Sequence, residues 1–431
     1  MKTKKISKST FARMQKLAVV LLCFVFGFSC QRPDEPEDEL EKDISEIAIT
    51  LRNILPFTIY DIRLGGTDTV TIDWGVEHCS GNDKSRLQTH VLKSDDHQFL
   101  YTYCDTGVYT IKLRGKNITN LTANNFVVSL DISKNPALKE LKLFANYYLT
   151  KIDVSKNTAL TNLIINRCRL TSLDLNNNTA LTYLNVSYNM LTSLDVSKNI
   201  LLEVLNCSNN QLTSLGISGC TALEILHCHS NQLTNLDVSN NILLEDLICF
   251  ENQLTSIDVS RHTALESLIC FANPLTNLDV SYNANLKSLS CSSNQLYELD
   301  VSKNVKLSFL NCSQNQLNEL DVSNNADLSV LVCGYNQLIS LDLSKNTALT
   351  SLNFSKNQLT SLDLRNNISI WYVECVLNDM PADALNDLFE TLHSNVDVES
   401  NSYIIDIRGN PGTDNCDRSN AENKGWRVIY W

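Results

Sequence analysis

Residues 181–202 read LTYLNVSYNMLTSLDVSKNILL, and the pattern in this stretch returns along most of the chain. Leu181, Leu184, Val186, Asn189 and Leu191 spell LxxLxLxxNxL; Leu191, Leu194, Val196, Asn199 and Leu202 then spell LxxLxLxxNxxL, so one 21-residue unit carries the pattern twice. Outward from here, Asn189, Asn210, Asn231, Asn252, Asn273, Asn294, Asn315, Asn336, Asn357 and Asn378 recur every 21 residues without a slip. Backwards the ladder passes through Cys168, Asn146 and Asn125, with one inserted residue between Asn146 and Cys168. A second register runs through Asn135, Asn157, Asn178, Asn199, Cys220, Asn241, His262, Asn283, Asn304, Asn325, Asn346 and Asn367. Self-similarity at a fixed period predicts a solenoid whose coils bury a shared core only by stacking.

These repeats resemble the leucine-rich-repeat family over residues 116–379, in particular bacterial surface lipoproteins with 21-residue nested repeats, internalin-like in the broad sense. The resemblance implies parallel strands in LxL, alternate side chains facing inward, and an asparagine amide satisfying backbone groups in the turn that follows. An amide that both donates and accepts suits a buried turn. Cys168, Cys220 and His262 break the rule, so the least regular turns are expected there. Twenty-one residues are too few for two strands, their turns and a full helix. The predicted fold is therefore mainly β: a leucine-rich-repeat solenoid with short parallel strands on both faces, preceded by a β-sandwich and closed by a small α/β cap.

Residues 1–29 read as a signal peptide, with Lys2, Lys4, Lys5, Lys8, Arg13 and Lys16 ahead of the apolar run 17–28. That run is short for a membrane span. Ser29-Cys30 at its end resembles a bacterial lipoprotein processing site and makes Cys30 the expected lipidation site; ordinary secretion with an unrelated cysteine is the alternative. The acidic stretch within 30–46 reads as a solvated tether. It also resembles the export signal of Bacteroidetes-type lipoproteins, implying an outer-membrane, outward-facing location. Removing residues 1–29 deletes six positive and no negative side chains and takes the formal charge from -13 to -19. Such a surface disfavours nucleic acid and anionic lipid.

Residues 47–115 alternate apolar and polar positions over strand-length runs. Asp73-Trp74-Gly75, His97–Tyr103 and Gly107–Ile111 resemble a PKD-like, immunoglobulin-type β-sandwich, although Val76-Glu77 replaces the usual Asp-Gly. Its expected structural role is to cap the first coil, whose sheet edge would otherwise be open. Residues 380–431 read as a closing cap, with Leu385, Leu388, Phe389 and Leu392 at helical spacing and strands in 403–407 and 427–431.

The chain has 15 cysteines, but Cys207, Cys228, Cys249, Cys270, Cys291, Cys312 and Cys333 form one 21-residue column continued by Phe354 and Cys375. Exchange with Val, Ile, Leu and Phe places the column inside the coil as small apolar filler. In-register side chains on adjacent parallel strands also make poor disulfide geometry. A metal or redox ladder is the alternative. Cys79 and Cys104, outside the repeats, form the candidate disulfide, and Cys416 has no evident partner.

No nucleophile motif, phosphate loop or acid pair accompanies any of the seven histidines, so neither enzyme activity nor a cofactor is expected. Candidate binding residues lie beside the cysteine column, where the common Asn-Cys-Ser gives way to His227-Cys228-His229, Ile248-Cys249-Phe250 and Ile269-Cys270-Phe271. Alternation turns the flanking residues outward, so His227, Ile248 and Ile269 stack in one column and His229, Phe250 and Phe271 in another. Such a ridge on a polar face is the strongest hint of a contact site. The alternatives are a covering loop, a neutral surface, or a metal site at the two histidines that Asn206, Ser208 and Glu251 leave incomplete. The second outward face carries Asp131, Asp153, Asp174, Asp195, Asp237, Asp258, Asp279, Asp300, Asp321, Asp342 and Asp363, interrupted by Gly216. Hydrogen bonds from Ser and backbone, with help from nearby lysines, are the expected compensation; calcium bridging is the alternative.

The function expected is that of a lipid-anchored, monomeric cell-surface protein that binds a protein partner on a host or neighbouring cell, touching the membrane only through its anchor. A surface glycan-binding lipoprotein is the rival, and an envelope protein without specific ligand the third reading.

Overall fold

The computed structural model describes residues 44–55, 58–76, 86–93, 97–394 and 403–431. Chain from 45 to 431 forms one compact unit. It opens with β1 (Ser45–Asn53), β2 (Thr58–Gly66), β3 (Asp68–Asp73), β4 (Leu87–Leu92), β5 (His97–Tyr103), β6 (Gly107–Gly115), β7 (Ile118–Asn124) and β8 (Val127–Asp131). One antiparallel sheet has the order β4-β3-β6-β1-β8. In the other, β2 pairs antiparallel with β5 and β7. Ile47, Ile49 and Leu51 of β1 alternate inward with Val70, Ile72, Ile111 and Leu113. Trp74 stacks on Tyr101 with ring centres 4.5 Å apart, and the Tyr103 hydroxyl donates to the Trp74 carbonyl at 2.9 Å. Gly75 is required at its turn, because at φ 85° a Cβ would stand 2.7 Å from the Thr110 carbonyl oxygen. Cys104 is disulfide-bonded. Cys79, its expected partner, and Cys30 lie outside the described residues.

The two N-terminal sheets run directly into the repeats. β7 pairs on one side with β2 and on the other, in parallel, with β9 (Glu140–Phe144). β8 is meanwhile the edge of the first sheet. The first coil thus contributes a strand to each, and its open edge is covered by main-chain pairing.

From β9 the parallel sheet continues through β10 (Asn162–Asn166), β11 (Tyr183–Asn185), then past β12 (Ser193–Asp195) to β13 (Val204–Asn206). Beyond β14 (Ser214–Gly216) follow β15 (Ile225–His227), β16 (Asp246–Ile248), β17 (Ser267–Ile269), β18 (Ser288–Ser290) and β19 (Phe309–Asn311). It ends with β20 (Val330–Val332), β21 (Ser351–Asn353), β22 (Tyr372–Glu374), β23 (Ile404–Asp406) and β24 (Arg427–Ile429). Pairing is in register, so Leu205, Leu226, Leu247 and Leu268 form one fully buried column. The cysteines from Cys207 to Cys333 form the next; all are free and fully buried, and burial pushes the Cys207 thiol up to about 12.

The first asparagine ladder binds coil to coil. Asn294 donates to the carbonyls of Cys270, Cys291 and Ser292 and accepts from the Leu275 N–H at 3.0 Å, and its counterparts from Asn189 to Asn336 repeat the set. The residue before each asparagine, from Tyr188 and Asn209 to Lys356 and Leu377, is left-handed, with φ of 51–57°. A conformation that costs about 1–2 kcal/mol per residue is thereby held in place by the amide that bridges its neighbours. In the second ladder, Asn283 donates to Val259 and His262 at 3.0 and 2.8 Å, while its buried Oδ1 meets no donor among the described residues. Contrary to expectation, Cys220 and His262 keep the regular turn: the Cys220 thiol donates to the Val196 carbonyl at 3.1 Å and His262 Nε2 to Val238 at 3.0 Å.

Strands on both faces were expected; on the second face, among the described residues, repeat-to-repeat pairing is confined to β12 with β14. Each aspartate accepts the N–H of the residue two further on, as Ser239, Ser260, Ser302 and Ser344 show at 2.8–3.0 Å. These aspartates therefore begin turns, and within the repeats only Asp195 closes a strand beside Asp131 of the first coil. Asn206 and Asn311 make the same turn at the ends of paired strands on the first face, at 3.1 Å, so the turn by itself does not prevent pairing. Pairing survives at Gly216, where a Cβ would stand 2.6 Å from Asp195 Oδ1.

At the C-terminal end, α1 (Ala382–Thr391) buries Leu385, Leu388 and Phe389, and the short α2 (Ser419–Glu422) buries Ala421. Between them the repeat resumes. Ile405, Ile407 and Asn410 restate LxLxxN, and Asn410 donates to the carbonyls of Cys375 and Ile407 at 2.8 and 2.9 Å as a ladder asparagine does.

Candidate functional site

Strand register alone assembles the sequence-derived ridge. His227, Ile248 and Ile269 are consecutive partners across β15, β16 and β17. One residue beyond the cysteines, His229 stacks on Phe250 and Phe250 on Phe271, each with ring centres 4.2 Å apart and planes within 12°. Stacks of this kind are worth about 0.5–1.5 kcal/mol beyond area burial. Ser208 and Ser292 end the aromatic column and are buried, so the rings stand up where neighbouring coils carry a small side chain. All six ridge residues are half-buried and not exposed, because outward columns one strand apart cover each other's flanks. Val204 and Ile225, outward on β13 and β15, extend the apolar surface. They were not singled out from sequence, although the same alternation marks them.

The histidines are tied down. His227 Nε2 lies 3.1 Å from Asp246 Oδ2. The Ser230 hydroxyl donates to Glu251 at 2.7 Å, so its oxygen can only accept from His229 Nδ1, 3.2 Å away. Burial, and then the nearby His227, lower the His229 pKa, which favours a neutral ring at the head of the stack.

On the second face, a groove of about 880 Å³ is lined by Asp279, Asp300, Asp321 and Asp342 with Glu298 and Glu319. The ladder carboxylates are compensated within the chain: the Ser239 and Ser260 hydroxyls, then their N–H groups, hold Asp237 and Asp258 below the usual carboxylate range. Among the described residues, no group of three or more His, Cys, Asp or Glu is placed to hold a metal ion.

Residues 200–241 match the family model "Leucine Rich repeats (2 copies)". The functional domain of InlJ from Listeria monocytogenes, a structure described as including a cysteine ladder, is 31% identical over 68% of this chain and 76% of that one, with a TM-score of 0.55. The chain belongs to the leucine-rich-repeat family. The Listeria monocytogenes internalin InlF is 25% identical, covering 63% of this chain and 84% of its own, with a TM-score of 0.56. A leucine-rich-repeat protein of Leptospira interrogans shares the fold at 21% identity, 72% and 90% coverage and a TM-score of 0.57. No curated protein sequence matches. This leucine-rich-repeat protein thus shares with the InlJ domain both the solenoid and a column of stacked cysteines.

Proposed function

We propose that this leucine-rich-repeat protein is a lipid-anchored cell-surface binding protein that holds a protein partner on its strand face, with Cys30 as the anchor and residues 47–115 as a PKD-like cap. The observation that carries the reading is the continuous stack of His229, Phe250 and Phe271 beside Ile248 and Ile269, along strands whose alternate side chains are locked in the core. Aromatic and aliphatic side chains on a rigid scaffold lose little conformational freedom on binding, which makes them effective anchors. Likeness to internalin structures is consistent with an interaction scaffold.

Replacing both Phe250 and Phe271 with Ser restores the residue of neighbouring coils and removes no inward side chain. In a pull-down from membrane-protein extracts, partners held by the wild type are expected to be lost, with affinity reduced at least tenfold while loss of the two stacks lowers the thermal midpoint by only a few degrees. Equal retention would move the site off the ridge. Metabolic labelling with an alkyne fatty acid tests the anchor separately: wild type should be marked and Cys30→Ser not.

A further inference from the structure

The repeat slips once, and a cavity stands at the slip. The inserted residue in Asn146-Tyr147-Tyr148-Leu149 lets the Leu149 N–H turn back to the Asn146 carbonyl at 2.9 Å. In the regular coils the equivalent leucine N–H reaches the ladder asparagine of the next coil, as Leu170 does to Asn189 at 3.1 Å. No acceptor is then needed at the next ladder position, which is Cys168. The insertion also leaves Tyr147 standing out, 53% exposed, opposite Tyr188, 47% exposed. Tyr147, Arg167, Cys168, Tyr188, Asn189 and Asn209 line one shallow cavity of about 510 Å³.

Its chemistry is specific. The floor is a buried neutral thiol, with desolvation raising Cys168 to about 11. Arg167 and Tyr188 are successive members of the left-handed column, at φ 53° and 55°, and the guanidinium carbon lies 5.1 Å from the Tyr188 ring centre. In a chain of net charge -13, Arg167 is exposed and has no carboxylate partner among the described residues. The Asn189 amide is fully engaged in its turn, whereas the Asn209 side-chain amide has no hydrogen-bond partner among the described residues.

We propose that this cavity binds a saccharide unit bearing a carboxylate. The two tyrosines would face the C–H surfaces of the ring, Arg167 would pair with the carboxylate, and Asn209 would meet a hydroxyl. Aromatic walls alone would accept any sugar, and a guanidinium alone any anion; their combination requires both features in one ligand. The site adjoins the aromatic stack, the Asn209 N–H donating to the His229 carbonyl at 3.0 Å, but shares no side chain with it, so the two readings can fail separately.

The test is calorimetric titration of the full chain with trigalacturonate and with sialyllactose, beside the methyl ester of the former and sodium sulfate. At least one acidic sugar should bind, the ester at least tenfold more weakly and sulfate not measurably. Tyr188→Ala and Arg167→Asn, the latter chosen because Asn tolerates the left-handed backbone, should each weaken binding at least tenfold. Tyr188→Phe should retain it, and Phe250→Ser with Phe271→Ser should leave it unchanged. Failure of both acidic sugars, equal binding of the ester or of sulfate, or unaltered affinity in Tyr188→Ala and Arg167→Asn would overturn the proposal.

Discussion

Two asparagine ladders run through the solenoid at the same interval, yet they ask different things of the same side chain. In the first, Asn294 Oδ1 is the partner of the buried Leu275 N–H, and its Nδ2 serves three carbonyls. In the second, Asn283 only donates, and the carbonyls it reaches already accept a backbone N–H: Val259 from His262 and His262 from Leu265. The first position must accept as well as donate; the second needs a donor alone. Substitution follows this division. Cys220 and His262, each with a hydrogen to give, occur in the second ladder, whereas Cys168 in the first occurs beside an inserted residue that removes the need for an acceptor.

The largest break in the comparison should come from Asn294→Ala. It orphans the Leu275 N–H and withdraws three donated bonds, a loss of about 3 kcal/mol or more. Because coils contact mainly their neighbours, the damage should be local. Burial holds the Cys270 and Cys291 thiols well above their ordinary range and out of reach, so in the wild type a maleimide should label them slowly and denaturant should release them without reductant. In the variant these two should label about a hundredfold faster while Cys333 changes little. Uniform acceleration along the column would show that the coils do not open independently. Quantitative labelling only after reduction would show that the cysteines are bonded.

Asn283→Ala should cost about 1–2 kcal/mol, since every carbonyl it leaves retains a backbone partner and an unpaired buried oxygen departs with it. Denaturant midpoints measured for the two variants side by side decide the matter. Equal losses would mean that the unpaired Oδ1 has a partner of its own, and the distinction between the ladders would collapse.

What could be read from sequence divides along the same physical line. Period, inward leucines, buried cysteines and the ridge all follow from alternation and register, which a repeating chain displays openly in its residues. The jobs of the ladders do not, because a donor and an acceptor on one amide look alike in one-letter code. The extent of pairing on the second face was not legible: LxLD and LxLN alternate alike and end in the same turn, yet between coils the second face pairs, among the described residues, only where Gly216 interrupts the aspartates. Asn410 was missed because α1 separates it from Asn378 by more than one period, although Ile405-x-Ile407-x-x-Asn410 carries the pattern. The cavity at Tyr147 and Tyr188 depends on a one-residue slip that is visible in the spacing, but its consequence lies in the hydrogen bond of Leu149, which spacing does not reveal.

The smallest effect, and the finest test, is Cys220→Asn. In the second ladder a thiol makes one weak donation to Val196, whereas an asparagine there would make two, to Val196 and to Asn199, as Asn241 does to Ile217 and Cys220. The gain of a better donor and one added bond is about 1 kcal/mol. Against it stands the newly buried Oδ1, which would join the unpaired oxygens of that column and cost up to a similar amount. A donor-only position therefore predicts a shift in stability below about 1 kcal/mol in either direction. Restoring a first-ladder asparagine should behave otherwise: Cys168→Asn brings donors, but its acceptor meets a coil whose Leu149 N–H is already taken by Asn146, so it should stabilise less alone than when Tyr147 is also deleted. An equal or larger gain from Cys168→Asn alone would mean that the inserted residue does not replace the missing acceptor, and that the two departures from the repeat are unrelated.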